Sequence, residues 1–380
     1  MSAMIYDSYW QYIRPDAISV WFNTEVRRRL KWYASVMENK KPAKFLIAKR
    51  IGVHDKNIEG LDEEALWEIH DNLEKEFLRI MKDIVSDNYS LDELEKPRYS
   101  FLDVKILLAY KILEKCHFCE RKCYVDRARG KRGACWMNKD VIAHSWFLHV
   151  GEEAPLVPSG TIFYGGCNFR CVYCQNYDIS QTNPRGGIKV SPKQLAAIQK
   201  ELRLKGARNI NHVGGDPTPH LHGILESLRY LEINVPQLWN SNLYLTEEAL
   251  KLLLHVIDIW LPDFKYGNNV CGFRLSTVPR YFDVVTRNLK TIVEHGDIII
   301  RHLVLPGHLE CCTKKALYWI AKNLPKEKVL VNIMDQYRPE HLVLRYPDKW
   351  PEITRRLYRK EVEEAYEYAR SLGILFEPVS

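Results

Sequence analysis

The stretch Gly165-Gly166-Cys167-Asn168-Phe169-Arg170-Cys171-Val172-Tyr173-Cys174-Gln175-Asn176 places three cysteines on one short loop. Their spacing is C-x3-C-x2-C, and no fourth cysteine follows directly behind them. Structural zinc sites and electron-carrying clusters ordinarily use four protein ligands. Three thiolates on a tight loop suit instead a [4Fe-4S] cluster in which one iron stays open to bind and reduce a substrate. Tyr173, between two of the cysteines, offers a flat face beside such a cluster.

The motif resembles the signature of the radical S-adenosylmethionine enzymes, which is C-x3-C, any residue, an aromatic residue and a last cysteine. The resemblance implies that Cys167, Cys171 and Cys174 bind a catalytic [4Fe-4S] cluster whose open iron chelates S-adenosylmethionine (SAM). It also implies that one electron cleaves SAM and releases a 5′-deoxyadenosyl radical. Three cysteines alone are also compatible with a zinc knuckle or a redox disulfide, and the downstream elements favour the family.

Short apolar runs alternate with helical periods from residue 159 onward, which predicts β/α units. The predicted strands cover residues 161–164, 209–213, 235–239, 256–261, 298–304, 329–333 and 374–377. The predicted helices between them include 247–255, 280–294 and 352–371. Parallel strands with crossover helices form a barrel or a doubly wound sheet. The family resemblance decides for a partial (β/α)6 TIM-type barrel, with the three-cysteine loop directly after the first strand.

A glycine-rich turn follows the second predicted strand. Gly214, Gly215 and Asp216 expose backbone groups and one carboxylate at a strand end, where barrel chemistry belongs. This turn resembles the family's glycine-glycine-glutamate element, which binds the SAM amino group. Aspartate replaces glutamate here, which shortens the reach without changing the charge.

The ends of the next three predicted strands carry further polar residues. Asn240 and Ser241 offer short side chains that suit the ribose hydroxyls or the carboxylate end of SAM. Asp263 and Lys265 resemble the aspartate-x-lysine element of pyruvate formate-lyase-activating enzymes, in which the lysine approaches the SAM carboxylate and the aspartate helps to hold a monovalent cation. Arg301 is similarly expected to make a charge-assisted contact with SAM.

Tyr337 and Arg338 follow the sixth predicted strand and have two interpretations. They either shape a substrate pocket at the open end of the barrel, or they belong to a loop that is packed by the tyrosine and stiffened by Pro339.

A second group of cysteines, Cys116, Cys119, Cys123 and Cys135, has the spacing C-x2-C-x3-C-x11-C and predicts a closed four-thiolate site. A zinc ion and an auxiliary [4Fe-4S] cluster explain this spacing about equally well. In characterised activators of glycyl-radical enzymes the added cysteine segment lies after the SAM-cluster loop, whereas here it precedes it. Cys271, Cys311 and Cys312 lack ligand spacing and are interpreted as buried or incidental thiols.

The chain divides into three predicted regions: an N-terminal helical region (1–95), a loop-rich and cysteine-rich metal-binding segment (96–158) and the radical SAM partial barrel (159–380). The first region contains an amphipathic pattern with Asp62 as its N-cap. Its apolar positions recur at spacings of three and four and are Leu66, Ile69, Leu73, Phe77, Ile80 and Ile84.

The composition is that of a globular protein: 380 residues, 46% hydrophobic, with a net charge of +7. Fifty-five basic against 48 acidic residues is a small excess for this length and does not identify a nucleic-acid binder. The basic stretch 121–139 is interpreted as a solvated loop rather than an RNA or acidic-partner surface. The N-terminus lacks signal-peptide features and no apolar run reaches the roughly 20 residues of a membrane helix, so a cytoplasmic location is expected.

Residues 116–337 as a whole resemble the uncharacterised radical SAM proteins grouped with pyruvate formate-lyase-activating enzymes. The resemblance implies an oxidoreductase that takes an electron from a donor such as ferredoxin or flavodoxin and abstracts hydrogen from a protein or peptide, including a glycyl residue. Radical modification of a small molecule or an RNA base is the alternative. A structural iron-sulfur or zinc module is the non-enzymatic alternative.

Overall fold

The computed structural model describes residues 9–53, 57–88 and 91–380. Residues 1–7, on which the expectation of an absent signal peptide rests, lie outside the described residues. The strands are β1 (Ile142–His149), β2 (Ser159–Tyr164), β3 (Ile188–Lys189), β4 (Ile210–Gly214), β5 (Gln237–Ser241), β6 (Ile259–Pro262), β7 (Asp297–Leu303) and β8 (Val329–Met334). The helices are α1 (Tyr9–Ile13), α2 (Asp16–Ser19), α3 (Thr24–Arg29), α4 (Lys31–Met37), α5 (Lys44–Ala48), α6 (Glu63–Val85), α7 (Phe101–Glu114), α8 (Pro192–Leu204), α9 (Leu221–Tyr230), α10 (Glu247–Leu254), α11 (Asn269–Ser276), α12 (Tyr281–His295), α13 (Lys314–Asn323), α14 (Leu342–Arg345) and α15 (Arg359–Ser371).

The strands form one open sheet in the order β3-β1-β2-β4-β5-β6-β7-β8. Strands β2, β4, β5, β6, β7 and β8 are parallel, and β1 joins the edge at β2 in the antiparallel direction. Each connection between neighbouring parallel strands carries at least one helix. The arrangement is the partial (β/α)6 barrel that was expected, and it brings the carboxyl ends of six strands to one edge.

Six of the seven predicted strands are present, with shifts of up to three residues at their ends. The seventh, at 374–377, is wrong: this segment makes one backbone hydrogen bond to β8, from Val331 N to the Leu375 oxygen at 3.2 Å, and then turns. Gly373 enters it with φ +68° and Pro378 follows it, so the chain does not run straight along the edge of β8.

The predicted helix 352–371 begins later, at Arg359. Tyr358 has an extended backbone there, and its amide donates to the Glu361 carboxylate at 2.8 Å, which fixes the N-terminus of α15. The side chain of Glu352 lies elsewhere, beside Arg274 and His308.

The segment 96–158 is less irregular than predicted, because it contains α7 and β1. Ser100 and Asp103 form a capping box at the start of α7, and most of the apolar residues of that helix are buried. Strand β1 lies in the sheet between β3 and β2, so the prediction of a loop-rich segment is wrong for these two elements. The boundaries of the three regions remain a prediction.

The N-terminal helices pack against the barrel at the end opposite to the strand carboxyl termini. Val20, Trp21, Leu30 and Tyr33 form one apolar cluster with strand residues of the barrel interior. The strand residues of that cluster are Leu238, Ile259, Leu261, Ile299 and Leu330. The predicted amphipathic helix is confirmed as α6, and the Asp62 side chain accepts from Ala65 N at 2.9 Å as its N-cap. Among the described residues no helix is both long and apolar enough to cross a membrane.

Candidate functional site

A cavity of about 400 Å³ opens at the carboxyl ends of the parallel strands. Its walls include every residue of the predicted catalytic and SAM-binding set. These residues are Cys167, Cys171, Tyr173, Cys174, Gly214, Gly215, Asp216, Asn240, Ser241, Asp263, Lys265 and Arg301. Residues from one loop and from four further strand ends therefore face one space.

The three-cysteine loop, residues 165–176, is held by the end of α11. Arg170 N donates to the Ser276 oxygen at 3.0 Å, and Val172 N donates to the Leu275 oxygen at 2.9 Å. On the other side, Leu342 N at the start of α14 donates to the Val172 oxygen at 2.9 Å. Backbone bonds to two separate elements fix the course of the loop.

Each thiol of the loop has a hydrogen-bonding neighbour. Ser276 Oγ donates to Cys171 Sγ at 2.9 Å, and Phe169 N donates to Cys167 Sγ at 3.3 Å. Cys174 Sγ lies 3.4 Å from Ser180 Oγ. Burial raises the pKa of Cys171 to about 11 and raises that of Cys167 as well, which disfavours the thiolate form of both residues.

Gly214 and Gly215 allow the backbone after β4 to contact the backbone at the end of β2 and the start of the three-cysteine loop. Gly214 has φ +121°, and a Cβ there would lie 2.1 Å from Tyr164 N. A Cβ on Gly215 would lie 2.1 Å from the Gly166 oxygen. No side chain fits at either position, so this loop stays directly against the three-cysteine loop.

Asp216 is buried and already has two partners. Its carboxylate accepts from Thr218 N at 2.9 Å and from Asn242 N at 3.0 Å. Burial raises the pKa of Asp216 to about 6, although these two bonds favour the ionised form. The residue therefore lines the cavity and also joins the β4 and β5 ends.

Asn240 carries an unsatisfied donor. Its Nδ2 is buried without a hydrogen-bond partner among the described residues, while its Oδ1 lies 3.4 Å from Arg301 Nη1. Buried amide groups are nearly always bonded, so a free one in a cavity wall fits a polar ligand. Ser241 Oγ, in contrast, accepts from Leu243 N at 3.1 Å.

Asp263 and Lys265 form an ion pair, with Nζ 2.7 Å from Oδ2. Burial alone would lower the pKa of Lys265, but Asp263 and the neighbouring thiols raise it above its usual value. The lysine is therefore held as a cation beside the three-cysteine loop.

Arg301 is tightly engaged by two glutamates that sequence reasoning missed. Its Nε and Nη2 donate to Glu153 at 2.6 and 2.8 Å, and Nη2 also contacts Glu152. Asn332 Nδ2 donates to Glu153 Oε1 at 2.7 Å. Burial raises the pKa of Glu153 and the Arg301 charge lowers it, and the resulting pKa lies below its usual value. The only signal in the sequence is an adjacent acidic pair next to an apolar run just before β2.

A chain of hydroxyl groups connects Tyr173 to a cluster thiol. Tyr173 Oη lies 2.7 Å from Tyr266 Oη, which lies 2.5 Å from Ser276 Oγ. Ser276 then donates to Cys171. Neither Tyr266 nor Ser276 stands in a recognisable motif, and their position follows only from the fold.

Tyr337 lines the cavity and packs edge-on against Tyr173, with ring centroids 5.8 Å apart. Its hydroxyl donates to the Ile353 oxygen at 2.7 Å, so it is fixed as part of the wall. Arg338 is exposed, lies 3.5 Å from Glu340 and does not line the cavity.

The four-cysteine group, Cys116, Cys119, Cys123 and Cys135, lines a small separate cavity together with Arg127 and Asn168. Arg127 Nη1 donates to Cys116 Sγ at 3.5 Å. This cavity adjoins the three-cysteine loop, because Asn168 follows Cys167 in that loop. A Cβ on Gly166 would lie 2.7 Å from the Cys135 oxygen, so the backbones of the two cysteine groups also lie close together.

Cys271, Cys311 and Cys312 lie together in the structure, although their spacing in the sequence is not that of metal ligands. Their sulfur atoms and a ring nitrogen of His308 all lie within 4.8 Å of one another. The interpretation of these residues as incidental thiols does not account for this convergence.

Comparisons with known proteins agree with the fold and the cysteine motif. The family model for the radical SAM superfamily matches residues 161–320, from β2 into α13. The uncharacterized protein MJ0674 of Methanocaldococcus jannaschii is 46% identical over 351 residues, which cover 91% of this chain and 98% of that protein. The uncharacterized protein MJ0808 of the same organism is 25% identical over 187 residues, 43% of this chain and 54% of that protein.

The similar solved structures include Streptococcus suis SuiB, with a TM-score of 0.39 and 14% identity over 57% of this chain and 47% of SuiB. A domain of pyruvate-formate lyase-activating enzyme from Bacteroides vulgatus has a TM-score of 0.30 and 13% identity over 49% of this chain and 89% of that domain. These structural likenesses are weak, whereas the family model spans the three-cysteine loop and four of the strand ends that line the cavity. The chain belongs to the radical SAM superfamily.

Proposed function

We propose that this protein binds a [4Fe-4S] cluster through Cys167, Cys171 and Cys174, binds SAM beside it, and abstracts hydrogen from a protein or peptide. The observation that carries the proposal is the convergence of the three thiols and all the predicted SAM contacts on one cavity. When bound, the cluster and SAM supply a 5′-deoxyadenosyl radical, as in other members of the superfamily.

The residues of the chain have distinct roles in this proposal. Asp216 and Lys265 present opposite charges that suit the ammonium and carboxylate groups of SAM. Asn240 Nδ2 is free to donate to the ligand. Arg301 is committed to Glu152 and Glu153, so its contribution is to fix the wall and the carboxylates rather than to offer a free guanidinium.

The size of the cavity favours a substrate presented from outside. About 400 Å³ lies near the lower end of the range of roughly 300–1,000 Å³ for small-molecule sites. The cluster and SAM would share this space, which leaves room for a side chain or a glycyl residue of a peptide more readily than for a second free molecule.

The polarity of the cavity wall argues against RNA. Its two cationic side chains, Lys265 and Arg301, are both paired with carboxylates, and RNA recognition relies on unpaired basic groups near the phosphates. The exposed residues of the lining include Gln175, Asn176 and Gln336, whose amides suit a peptide backbone. The alternative, radical modification of a small molecule or an RNA base, is therefore the second candidate.

The four-cysteine group is proposed to hold an auxiliary iron-sulfur cluster that relays an electron from ferredoxin or flavodoxin. Four thiolates close a site for either a zinc ion or an iron-sulfur cluster. The resemblance of residues 116–337 to radical SAM proteins favours iron-sulfur. The group also adjoins the three-cysteine loop through Asn168, as a relay requires.

The substrate class is tested by stimulation of SAM cleavage. The reconstituted, reduced protein is mixed with protein, RNA and small-molecule fractions of a host extract, and 5′-deoxyadenosine is measured. We expect the protein fraction to stimulate its formation and protease treatment to abolish the effect. Stimulation that survives protease but is lost with ribonuclease, or that resides in the small-molecule fraction, would favour the second candidate.

A further inference from the structure

A third cysteine cluster lies outside the cavity, between α11 and the turn that follows β7. Cys271 belongs to α11, and Cys311 and Cys312 belong to the π-helical turn Leu309–Thr313. His308 directly precedes that turn. Cys271, Cys312 and His308 are buried and Cys311 is half-buried. Chain segments about 40 residues apart therefore bring three thiols and one imidazole together.

The distances are those of a tetrahedral coordination shell. His308 Nδ1 lies 3.7, 3.3 and 3.6 Å from the sulfurs of Cys271, Cys311 and Cys312. Cys311 Sγ lies 3.9 Å from each of the other two sulfurs. A tetrahedral zinc with Zn–S of about 2.3 Å and Zn–N of about 2.0–2.1 Å requires S–S of about 3.8 Å and S–N of about 3.6 Å.

The second nitrogen of His308 is positioned as in zinc proteins. His308 Nε2 lies 3.3 Å from Glu352 Oε1, and Glu352 is itself held by Arg274 Nη2 at 2.7 Å. A carboxylate on the far nitrogen of a ligating histidine fixes the ring and leaves the other nitrogen free for the metal. Asn268 Nδ2 also donates to Cys271 Sγ at 3.3 Å, which favours a thiolate.

We propose that Cys271, His308, Cys311 and Cys312 bind one Zn²⁺ ion. Four protein ligands close the coordination shell, so the site has a structural rather than a catalytic role. The sulfurs are too close together for a multi-iron cluster in which each thiolate binds a separate iron. They are also too far apart for a disulfide, which needs about 2.05 Å.

The zinc connects α11 to the turn after β7, and this has a consequence for the three-cysteine loop. Ser276, the last residue of α11, donates to Cys171 Sγ, and its carbonyl accepts from Arg170 N. Cys271 lies five residues earlier in the same helix. A metal at Cys271 therefore fixes the helix whose end positions the loop. The site itself does not depend on the proposed SAM chemistry.

The proposal is tested by zinc and iron analysis of the full chain purified without oxygen. The wild type should contain about one zinc per chain, and Cys271→Ser/Cys312→Ser should lose that equivalent while its iron content stays unchanged. Zinc bound at the four-cysteine group would remain in this variant. Glu310→Gln is the matched control, because Glu310 lies exposed in the same turn and is not a ligand. Equal zinc in all three proteins, or the absence of zinc from the wild type, would overturn the proposal.

Two further variants keep the test valid if the double serine variant does not fold. His308→Cys should retain zinc with four thiolates. Glu352→Gln should release zinc to a competing chelator at about 10- to 100-fold lower chelator concentration than the wild type. With Co²⁺ in place of zinc, the wild type should show the visible bands of tetrahedral cobalt-thiolate. The zinc site would be contradicted if Glu352→Gln released zinc at the same chelator concentration as the wild type, or if the cobalt-loaded protein lacked these bands.

Discussion

Asp216 illustrates how one buried side chain serves both the fold and the ligand. Two backbone amides hold its carboxylate, and burial raises its pKa to about 6. The ionised form, which is the one able to pair with an ammonium group, therefore predominates only above that pH. We predict that SAM affinity is lower by roughly ten- to a hundredfold well below pH 6 and reaches a plateau above it, as expected for a charged hydrogen bond of about 1.5–3 kcal/mol.

The measurement is anaerobic SAM binding to the reconstituted protein as a function of pH. Asp216→Asn should bind weakly at every pH and show no step near pH 6. Asp348→Asn, which changes an exposed aspartate, should follow the wild-type curve. A step that persists in Asp216→Asn would assign the titration to another group.

Arg301 was expected to contact SAM, but in the structure its guanidinium is paired with glutamates. Its guanidinium neutralises Glu153, whose side chain is 1% exposed. Removing one partner of a buried ion pair typically costs 3–5 kcal/mol, because the other charge is left unpaired. We predict that Arg301→Met lowers the free energy of unfolding of the apo-protein by about that amount in urea titrations.

Adding Glu152→Gln and Glu153→Gln to Arg301→Met should recover part of this loss, because the unpaired charges are then removed. Arg359→Met breaks a solvent-exposed pair with Glu363 and should change stability little. If Arg301→Met were as stable as Arg359→Met, the buried pair would not contribute as described.

At the scale of elements, the end of α11 controls the environment of Cys171. The Ser276 hydroxyl donates to Cys171 Sγ at 2.9 Å, and hydrogen bonds to cluster sulfurs help to set the reduction potential. We predict that Ser276→Ala makes the cluster harder to reduce, with a more negative midpoint potential and an unchanged iron content. A redox titration followed by electron paramagnetic resonance measures this shift.

Ser180→Ala is the matched control, since Ser180 is 3.4 Å from Cys174 Sγ and should have a smaller effect. An unchanged midpoint potential in Ser276→Ala would show that the hydrogen bond from Ser276 to Cys171 does not affect the reduction potential of the cluster.

The elements that sequence patterns identified are those with a strong local signal. Apolar runs bounded by turns located six parallel strands, and Asp62 with its following periodicity located α6. The segment 374–377 has the same apolar character as a strand, but it follows a glycine of positive φ and pairs with β8 at one point. Its course is decided by packing against β8, which no local pattern encodes.

Across the whole chain, the motif positions anticipated which residues line the cavity at the strand ends, because radical SAM elements occupy strand ends. Their partners were not predictable, since contacts such as Arg301 with Glu153 and Tyr173 with Tyr266 join residues 148 and 93 positions apart. The same holds for His308 and the three cysteines around it. Cysteine spacing alone therefore does not reveal every convergence of metal-ligating side chains.

The three cysteine groups are not all expected to bind the same metal. We predict that the Cys167→Ala/Cys171→Ala/Cys174→Ala variant retains iron and cluster absorbance from the four-cysteine group, as expected for a relay. Additional replacement of Cys116 and Cys135 by serine should remove the remaining iron. A triple alanine variant that contains no iron but two zinc ions per chain would assign a structural zinc to that group instead.

Reductive cleavage of SAM is the reaction that distinguishes a radical SAM enzyme from a structural iron-sulfur or zinc protein. The protein is reconstituted with iron and sulfide without oxygen and mixed with dithionite and SAM, and 5′-deoxyadenosine is quantified by chromatography. We predict that the wild type forms 5′-deoxyadenosine and that the Cys167→Ala/Cys171→Ala/Cys174→Ala variant forms none. A wild type that carries its cluster yet produces no 5′-deoxyadenosine, or a triple variant that matches the wild type, would contradict the account.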